Sequence, residues 1–267
     1  MFTKQEQGIW AEPQNTIFTE LQDKDIVDSL EHAYLLCGRN FSRAPICILD
    51  EFRKHGSITL ISAEHLREEL LQHPEVCRQL ELKDKLNLLH YILDNDVNCL
   101  EGLTVLPLAD GNFGTFTEAG TPAAGTPEAG TPETVYIFED VDEMKMFPGL
   151  ESHFVMSELG PELYLKIQNQ CSCEIGIFQI KIFHPNDFRN LIEMCIKQNQ
   201  WQGIKLTESL EEWLYLVWRY IGKYKNVIIE KIKNLDLIPY KDPETLEERL
   251  TKTSNIAILG SYSGKDI

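Results

Sequence analysis

Apolar residues return at helical spacing through most of this chain and switch to a two-residue period in only a few short stretches. Behind Asp23, the residues Ile26, Val27, Leu30, Tyr34 and Cys37 share one helical face, and Gly38 supplies a stop. Pro45 suits a first helical position, with Ile46, Leu49 and Phe52 inward and Gly56 ending the segment. Ser62 caps a helix through Leu66 and Leu70 that Pro74 ends, and Val76 and Leu80 mark a short helical turn. Leu82, Leu86, Leu89 and Leu93 then recur at spacings of four, three and four. That stripe predicts a core helix beneath the strand that follows, because a coiled-coil seam needs about three heptads or more. Asp94-Asn95-Asp96 breaks it. Ahead of all these, Phe2 to Leu21 carries Ile17 and Phe18 without a sustained period and reads as an extended lead-in.

The pattern changes at Leu103. Leu103-Thr104-Val105-Leu106-Pro107-Leu108 has strand character, with the proline confining it to an edge or a strand end. Ala109-Asp110-Gly111-Asn112 predicts a tight turn, since Asp accepts local backbone hydrogen bonds and Gly tolerates positive φ. Phe113 and Phe116 follow as apolar anchors, and Val135-Tyr136-Ile137-Phe138 supplies the expected strand partner. Between them, Ala-Gly-Thr-Pro occurs three times at a period of five, which fits neither helix nor strand and predicts a mobile loop. Modification of Thr121, Thr126 and Thr131 is the functional alternative for that tract.

Further on, Asp142 to Met146 predicts a short helix ended by Pro148-Gly149, and Pro161 opens another with Leu163, Leu165 and Ile167. Phe178 to Ile182 alternates like a half-buried strand, and Pro185-Asn186 starts a helix with Phe188, Leu191, Ile192 and Cys195 on one face. The longest helix carries Leu210, Trp213, Leu214, Val217 and Ile221. Ser209 and Glu212 have capping-box spacing, while Trp218 and Tyr220 widen the apolar arc. Leu235-Asp236-Leu237-Ile238-Pro239-Tyr240 echoes the stretch from Leu103 to Leu108, so two similar lobes are expected. The fold class is α+β, predominantly helical with one or two small antiparallel sheets.

Of 267 residues, 43% are hydrophobic, enough to bury a core. Acidic residues outnumber basic ones 42 to 25, a formal charge of -17 that repels a nucleic-acid backbone or an anionic membrane surface. No apolar run approaches the ~20 residues of a membrane helix. Seven scattered cysteines and no secretory leader predict reduced thiols in a cytoplasmic setting. The two ends, Gln5 to Gln7 and Lys265-Asp266-Ile267, carry no structural signal, so the chain reads as a fragment or one member of a longer array.

Chemistry-bearing patterns are sparse. Cys171 and Cys173 form half of a zinc-site pair, with no second pair or His at metal-site spacing. His32, His65 and His90 fall within helices, where packing or surface roles are the default. Gly260-Ser261-Tyr262-Ser263-Gly264-Lys265-Asp266 has three residues between its glycines where a phosphate loop has four, and Asp266 stands where Ser or Thr binds magnesium. No catalytic, cofactor-binding or metal-ligating residue is therefore assigned. Trp10, Trp201 and Trp218 are candidates for an interaction surface, with buried packing as the default for each.

One resemblance adds to this. Leu86-Asn87-Leu88-Leu89-His90-Tyr91-Ile92-Leu93, then Leu100 to Phe113, then Val135 to Phe138 are similar to the internal repeats of the sacsin family, as are Phe147 to Phe154, Glu212 to Trp218 and Leu235 to Pro239. The resemblance covers residues 57 to 240. It implies a non-catalytic structural or interaction module of a chaperone or co-chaperone scaffold in protein quality control. Implied partners are heat-shock chaperones or client proteins, with the proteasome and cytoskeletal filaments reached through a longer protein. Residues 1–100 are expected to form a helical part, 101–155 a β-hairpin region with a disordered insert at 117–133, and 156–267 a helical part with short strands, all in one module. Sacsin-type proteins also carry a heat-shock-ninety-type ATPase domain, whose nucleotide turn is Asp-x-Gly-x-Gly. Here Asp110 stands directly against Gly111, which places the chain outside that nucleotide site. The alternatives are a divergent nucleotide-binding hydrolase using Asp110 and the insert, or a simple protein-protein adaptor.

Overall fold

The structure is a computed structural model that describes residues 16–55, 58–117, 134–172, 178–252 and 254. The chain divides into two units, each assembled from separate stretches: 1–135 with 155–181, and 136–154 with 182–267. The architecture is α+β, largely helical with small sheets.

The first unit opens on a parallel sheet that the hydrophobic pattern does not predict. Strand β1 (Thr16–Thr19) lies between β2 (Asn40–Arg43) and β3 (Thr59–Leu60), paired in parallel with both. All four residues of β1 are buried, so this strand has no polar face to produce alternation. The expected lead-in is therefore a central strand. Phe18 packs with Ala44 and Leu49, and with Phe52, Ile58 and Leu60.

Helix α1 (Lys24–Leu36) joins β1 to β2, capped by Asp23 Oδ1, which accepts from the Asp25 and Ile26 amides. Gly38, at φ +72, turns the chain as anticipated. Helices α2 (Ile46–His55), α3 (Ala63–Gln72, with Ser62 Oγ accepting from the His65 amide) and α4 (Pro74–Gln79) follow the predicted positions. Ile46 is a correction, being exposed at the start of α2 while Leu49 is fully buried.

Helix α5 (Leu82–Asn95) packs on α1 and is covered over a wider arc than one leucine stripe. Leu88, Leu89 and Ile92 are fully buried and Leu82 is exposed. Lys85 is drawn in as well, its Nζ 4.0 Å from the centroid of the Phe113 ring.

Beyond it, β4 (Leu106–Pro107) pairs antiparallel with β5 (Phe113–Gly114). The turn is the predicted one: Asp110 Oδ1 accepts from the Asn112 amide at 2.9 Å, and Gly111 has φ +84. The neighbour of β4 is not the 135–138 stretch. Leu108 bridges Val155, and the Met156 amide donates to the Pro107 carbonyl at 3.0 Å. The 118–133 insert lies outside the described residues. Helix α6 (Pro161–Cys171) completes the unit, with Ile167 buried and Leu165 exposed.

The second unit begins within the strand β6 (Val135–Ile137), at Tyr136, and opens a phenylalanine-rich core. Tyr136 bridges Phe154, and the Ile137 carbonyl accepts from the Phe183 amide. Phe147, 1% exposed, lies 6.0 Å from Phe138, 6.0 Å from Phe154, 5.4 Å from Phe183 and 6.2 Å from Phe188 between ring centroids. The segment Val141–Met146 is a 3-10 helix, the short helix expected there. The chain re-enters this unit at Ile182, the last residue of strand β7 (Ile180–Ile182), and both that strand and helix α7 (Phe188–Gln198) fall where the pattern puts them. Helix α8 (Glu208–Lys223) stacks Tyr220 on Phe188 at 5.1 Å, and Trp213 Nε1 donates to the Met146 carbonyl at 2.9 Å. Its cap is Thr207 and not Ser209, the Thr207 Oγ1 accepting from the Leu210 amide. After α9 (Lys225–Ile228), β8 (Asp236–Lys241) pairs antiparallel with β9 (Glu248–Lys252).

Candidate functional site

Helix α8 carries two stripes that the sequence merges into one. Leu210, Trp213, Leu214, Val217, Tyr220 and Ile221 are buried and hold the helix to its unit. Glu211, Leu214, Tyr215 and Trp218, at positions 0, 3, 4 and 7, form a second stripe turned toward β8. With Leu206, Pro239, Tyr240, Lys241 and Glu248 they line a groove of about 540 Å³.

The far wall of this groove is fixed by backbone pairing. Leu250 sits opposite Pro239, yet its amide donates to the Ile204 carbonyl at 3.1 Å, on the other side of β9. Likewise the Leu206 amide donates to the Glu248 carbonyl at 2.7 Å. Alternate residues of β9 thus turn their polar groups away from β8, and Pro239 occupies a register position where no amide is required of it. The connecting turn is tied by Asp242, whose carboxylate accepts from the Glu244 and Thr245 amides at 2.8 and 3.1 Å. Those two hydrogen bonds hold its pKa below the ordinary carboxyl value.

Trp218 is locked in place by its Nε1 donating to the Leu237 carbonyl at 2.8 Å, which leaves one ring edge to the groove. Tyr215 is 68% exposed beside it, an unusual placement for an aromatic ring on the flank of a core helix. Neither tyrosine hydroxyl, Tyr215 or Tyr240, bonds another described residue. Glu211, Glu248 and Lys241 also form no ion pair among the described residues. Among the described residues the lining thus holds three aromatic rings, a proline ring, two carboxylates and one ammonium. Such a lining can offer ring stacking and carbonyl hydrogen bonds to an extended chain, with the carboxylates favouring cations.

The residues singled out from sequence are not gathered here, Trp218 excepted. Trp201 packs on Trp213 at 4.5 Å, and Trp10 lies outside the described residues. Asp110 spends both carboxylate oxygens on Asn112, at 2.9 Å each, so it serves its own turn. Cys171 is fully buried and its thiol is pushed up to about 12 by desolvation; Cys195, up to about 12 for the same reason, donates to the Pro148 carbonyl. Cys173 and the 260–266 stretch lie outside the described residues.

His32 contacts Asp84 at 2.6 Å, and Ser29 Oγ donates to the same carboxylate at 2.8 Å. The carboxylate stands between serine and imidazole, whereas nucleophile activation needs the imidazole in the middle. His65 Nδ1 lies 3.2 Å from the Leu60 carbonyl. Beside His90, Lys166 Nζ donates to Asp94 at 2.6 Å and lies 3.4 Å from Glu162, so an ammonium fills the space a bound cation would need. No described group of three or more His, Cys, Asp or Glu is arranged to hold a metal ion, and no described helix is long and apolar enough to cross a membrane.

The sequence reading missed Tyr215, Tyr240, Glu211 and Glu248. The available signal was the aromatic residue at 215, off the core stripe of α8. No model of a known protein family, no curated protein and no solved structure matches the chain.

Proposed function

We propose that this chain is a non-catalytic interaction module of a sacsin-like chaperone or co-chaperone scaffold, and that the groove between α8 and β8 is where it holds a polypeptide. The observation that carries this is Tyr215, 68% exposed beside the locked Trp218. A large ring left in water, next to hydroxyl and carboxylate groups that pair with no other described residue, gains from being covered by another molecule. The resemblance adds the setting, protein quality control in the cytoplasm, with client polypeptides and heat-shock chaperones as partners. The buried, high-pKa thiols and the self-bonded Asp110 are consistent with residues that serve folding.

The test is fluorescence anisotropy with a labelled, reduced and carboxymethylated client polypeptide, run beside the same client in its native state. The unfolded form binds saturably, the native form binds weakly, and Tyr215→Ala weakens the former. Binding that Tyr215→Ala leaves unchanged would overturn the assignment of the groove, and preference for the native form would favour a simple adaptor.

A further inference from the structure

The groove that serves this proposed function has a composition that selects one class of segment. We propose that it takes a proline-rich segment in the polyproline II conformation, flanked by an arginine or lysine. This rests on the interaction reading above and goes beyond it in naming the ligand.

The walls supply the first argument. A polyproline II helix has no internal hydrogen bonds, and its carbonyls and proline rings project outward to dock in aromatic-lined grooves. Tyr215 and Trp218 stand one helical turn apart on α8, and Pro239 and Tyr240 of β8 line the same groove. Trp218 is already committed to Leu237, so it is a rigid wall. The hydroxyls of Tyr215 and Tyr240 bond no other described residue and are the donors left for ligand carbonyls.

Length gives the second argument. The stripe from Glu211 to Trp218 spans about 10 Å along the helix axis at the usual rise. That accommodates about three residues of polyproline II. A segment of this size is pre-ordered, so it loses little conformational entropy on docking.

Charge gives the third. Glu211 and Glu248 line the groove beside the rings without an ion pair among the described residues, and Lys241 is the single cation among the described lining residues. The surrounding chain carries a net charge of -17, which repels an acidic ligand and draws a basic one. An arginine beside the prolines can stack on a tyrosine face while its guanidinium meets a carboxylate.

The experiment uses the full chain and three fluorescein-labelled synthetic decapeptides read by polarisation. One is proline-rich with a flanking arginine, one has that arginine replaced by glutamate, and one has every proline replaced by alanine. The first binds saturably; the other two bind at least about fivefold more weakly. Tyr215→Ala weakens the first peptide by about tenfold, and Glu211→Gln weakens it less but flattens its salt dependence. Both substitutions are at exposed positions, and circular dichroism checks that the fold is retained.

Equal binding of the three peptides, or binding indifferent to Tyr215→Ala, overturns the proposal. A groove that binds the unfolded client through Tyr215 but not the proline-rich peptide overturns the ligand class while leaving the interaction reading intact. Loss of both overturns the two together. Self-association abolished by Tyr215→Ala, seen by light scattering, also overturns the proposal, because a second copy would then be the occupant.

Discussion

Replacing Trp218 with Phe tests how the groove is built. The substitution removes the indole N–H that donates to the Leu237 carbonyl at 2.8 Å, and Leu237 itself is fully buried. A buried carbonyl left without its donor costs about 1 to 3 kcal/mol. The smaller ring also forfeits a few tens of Å² of apolar contact, roughly 1 kcal/mol at 25 cal/mol per Å². The loss expected is therefore about 2 to 4 kcal/mol. In urea, with a slope of about 2 to 3 kcal/mol/M for a chain of this size, the unfolding midpoint falls by about 1 M. Equilibrium unfolding followed by far-ultraviolet circular dichroism measures it. Because the chain has two units, the shift belongs to the transition of the second one, which keeps Trp201 and Trp213 in the variant and so dominates the tryptophan fluorescence. Tyr215→Ala, at a largely exposed site, moves the same midpoint by less than about 0.2 M. A Trp218→Phe midpoint equal to wild type would refute the locked indole and with it the rigid wall of the groove.

Three further outcomes follow from packing and titration. Phe147→Ala, at the centre of four surrounding rings in the second unit, costs about 3 to 5 kcal/mol in the same urea assay, and a cost below about 1 kcal/mol would contradict that core. Glu143 lies 3.3 Å from Lys223, yet burial outweighs that ammonium and raises its carboxyl pKa above the ordinary 4.5. The folded state then holds a proton that the unfolded state releases, so stability falls as pH rises from 4.5 through the folded value, and Glu143→Gln removes that slope in pH-dependent thermal melts. Asp110→Ala loosens a turn at a cost of about 1 kcal/mol. Titration calorimetry with a non-hydrolysed ATP analogue and magnesium shows no saturable heat with either form, and a saturable heat lost in Asp110→Ala would support the hydrolase alternative.

The helices were legible because one buried face leaves a period of 3.6. Ser62 and Asp110-Gly111 announced a cap and a turn through local hydrogen bonds that need no tertiary information, and Pro74 announced a helix end through its missing amide. The parallel sheet around β1 was not legible, since four buried residues in a row show no alternation and its partners lie some twenty and forty residues downstream. The start of α8 was misplaced by two residues because Thr207 and Ser209 both offer a hydroxyl with suitable spacing, and packing decided between them. The groove was half visible. Trp218 stood out, but Tyr240 and Glu248 reach it through a hairpin register that only Pro239 hints at.

The claim that most needs testing is that the face of α8 carrying Tyr215 contacts client polypeptide. A photo-crosslinking amino acid placed at 215, and separately at Ile229 on the exposed surface of the same unit, measures this directly in the full chain with an unfolded client. Crosslinks to the client form from 215 and are displaced by excess unlabelled client, with few from 229. Equal yields from the two positions, or none from 215, would contradict it.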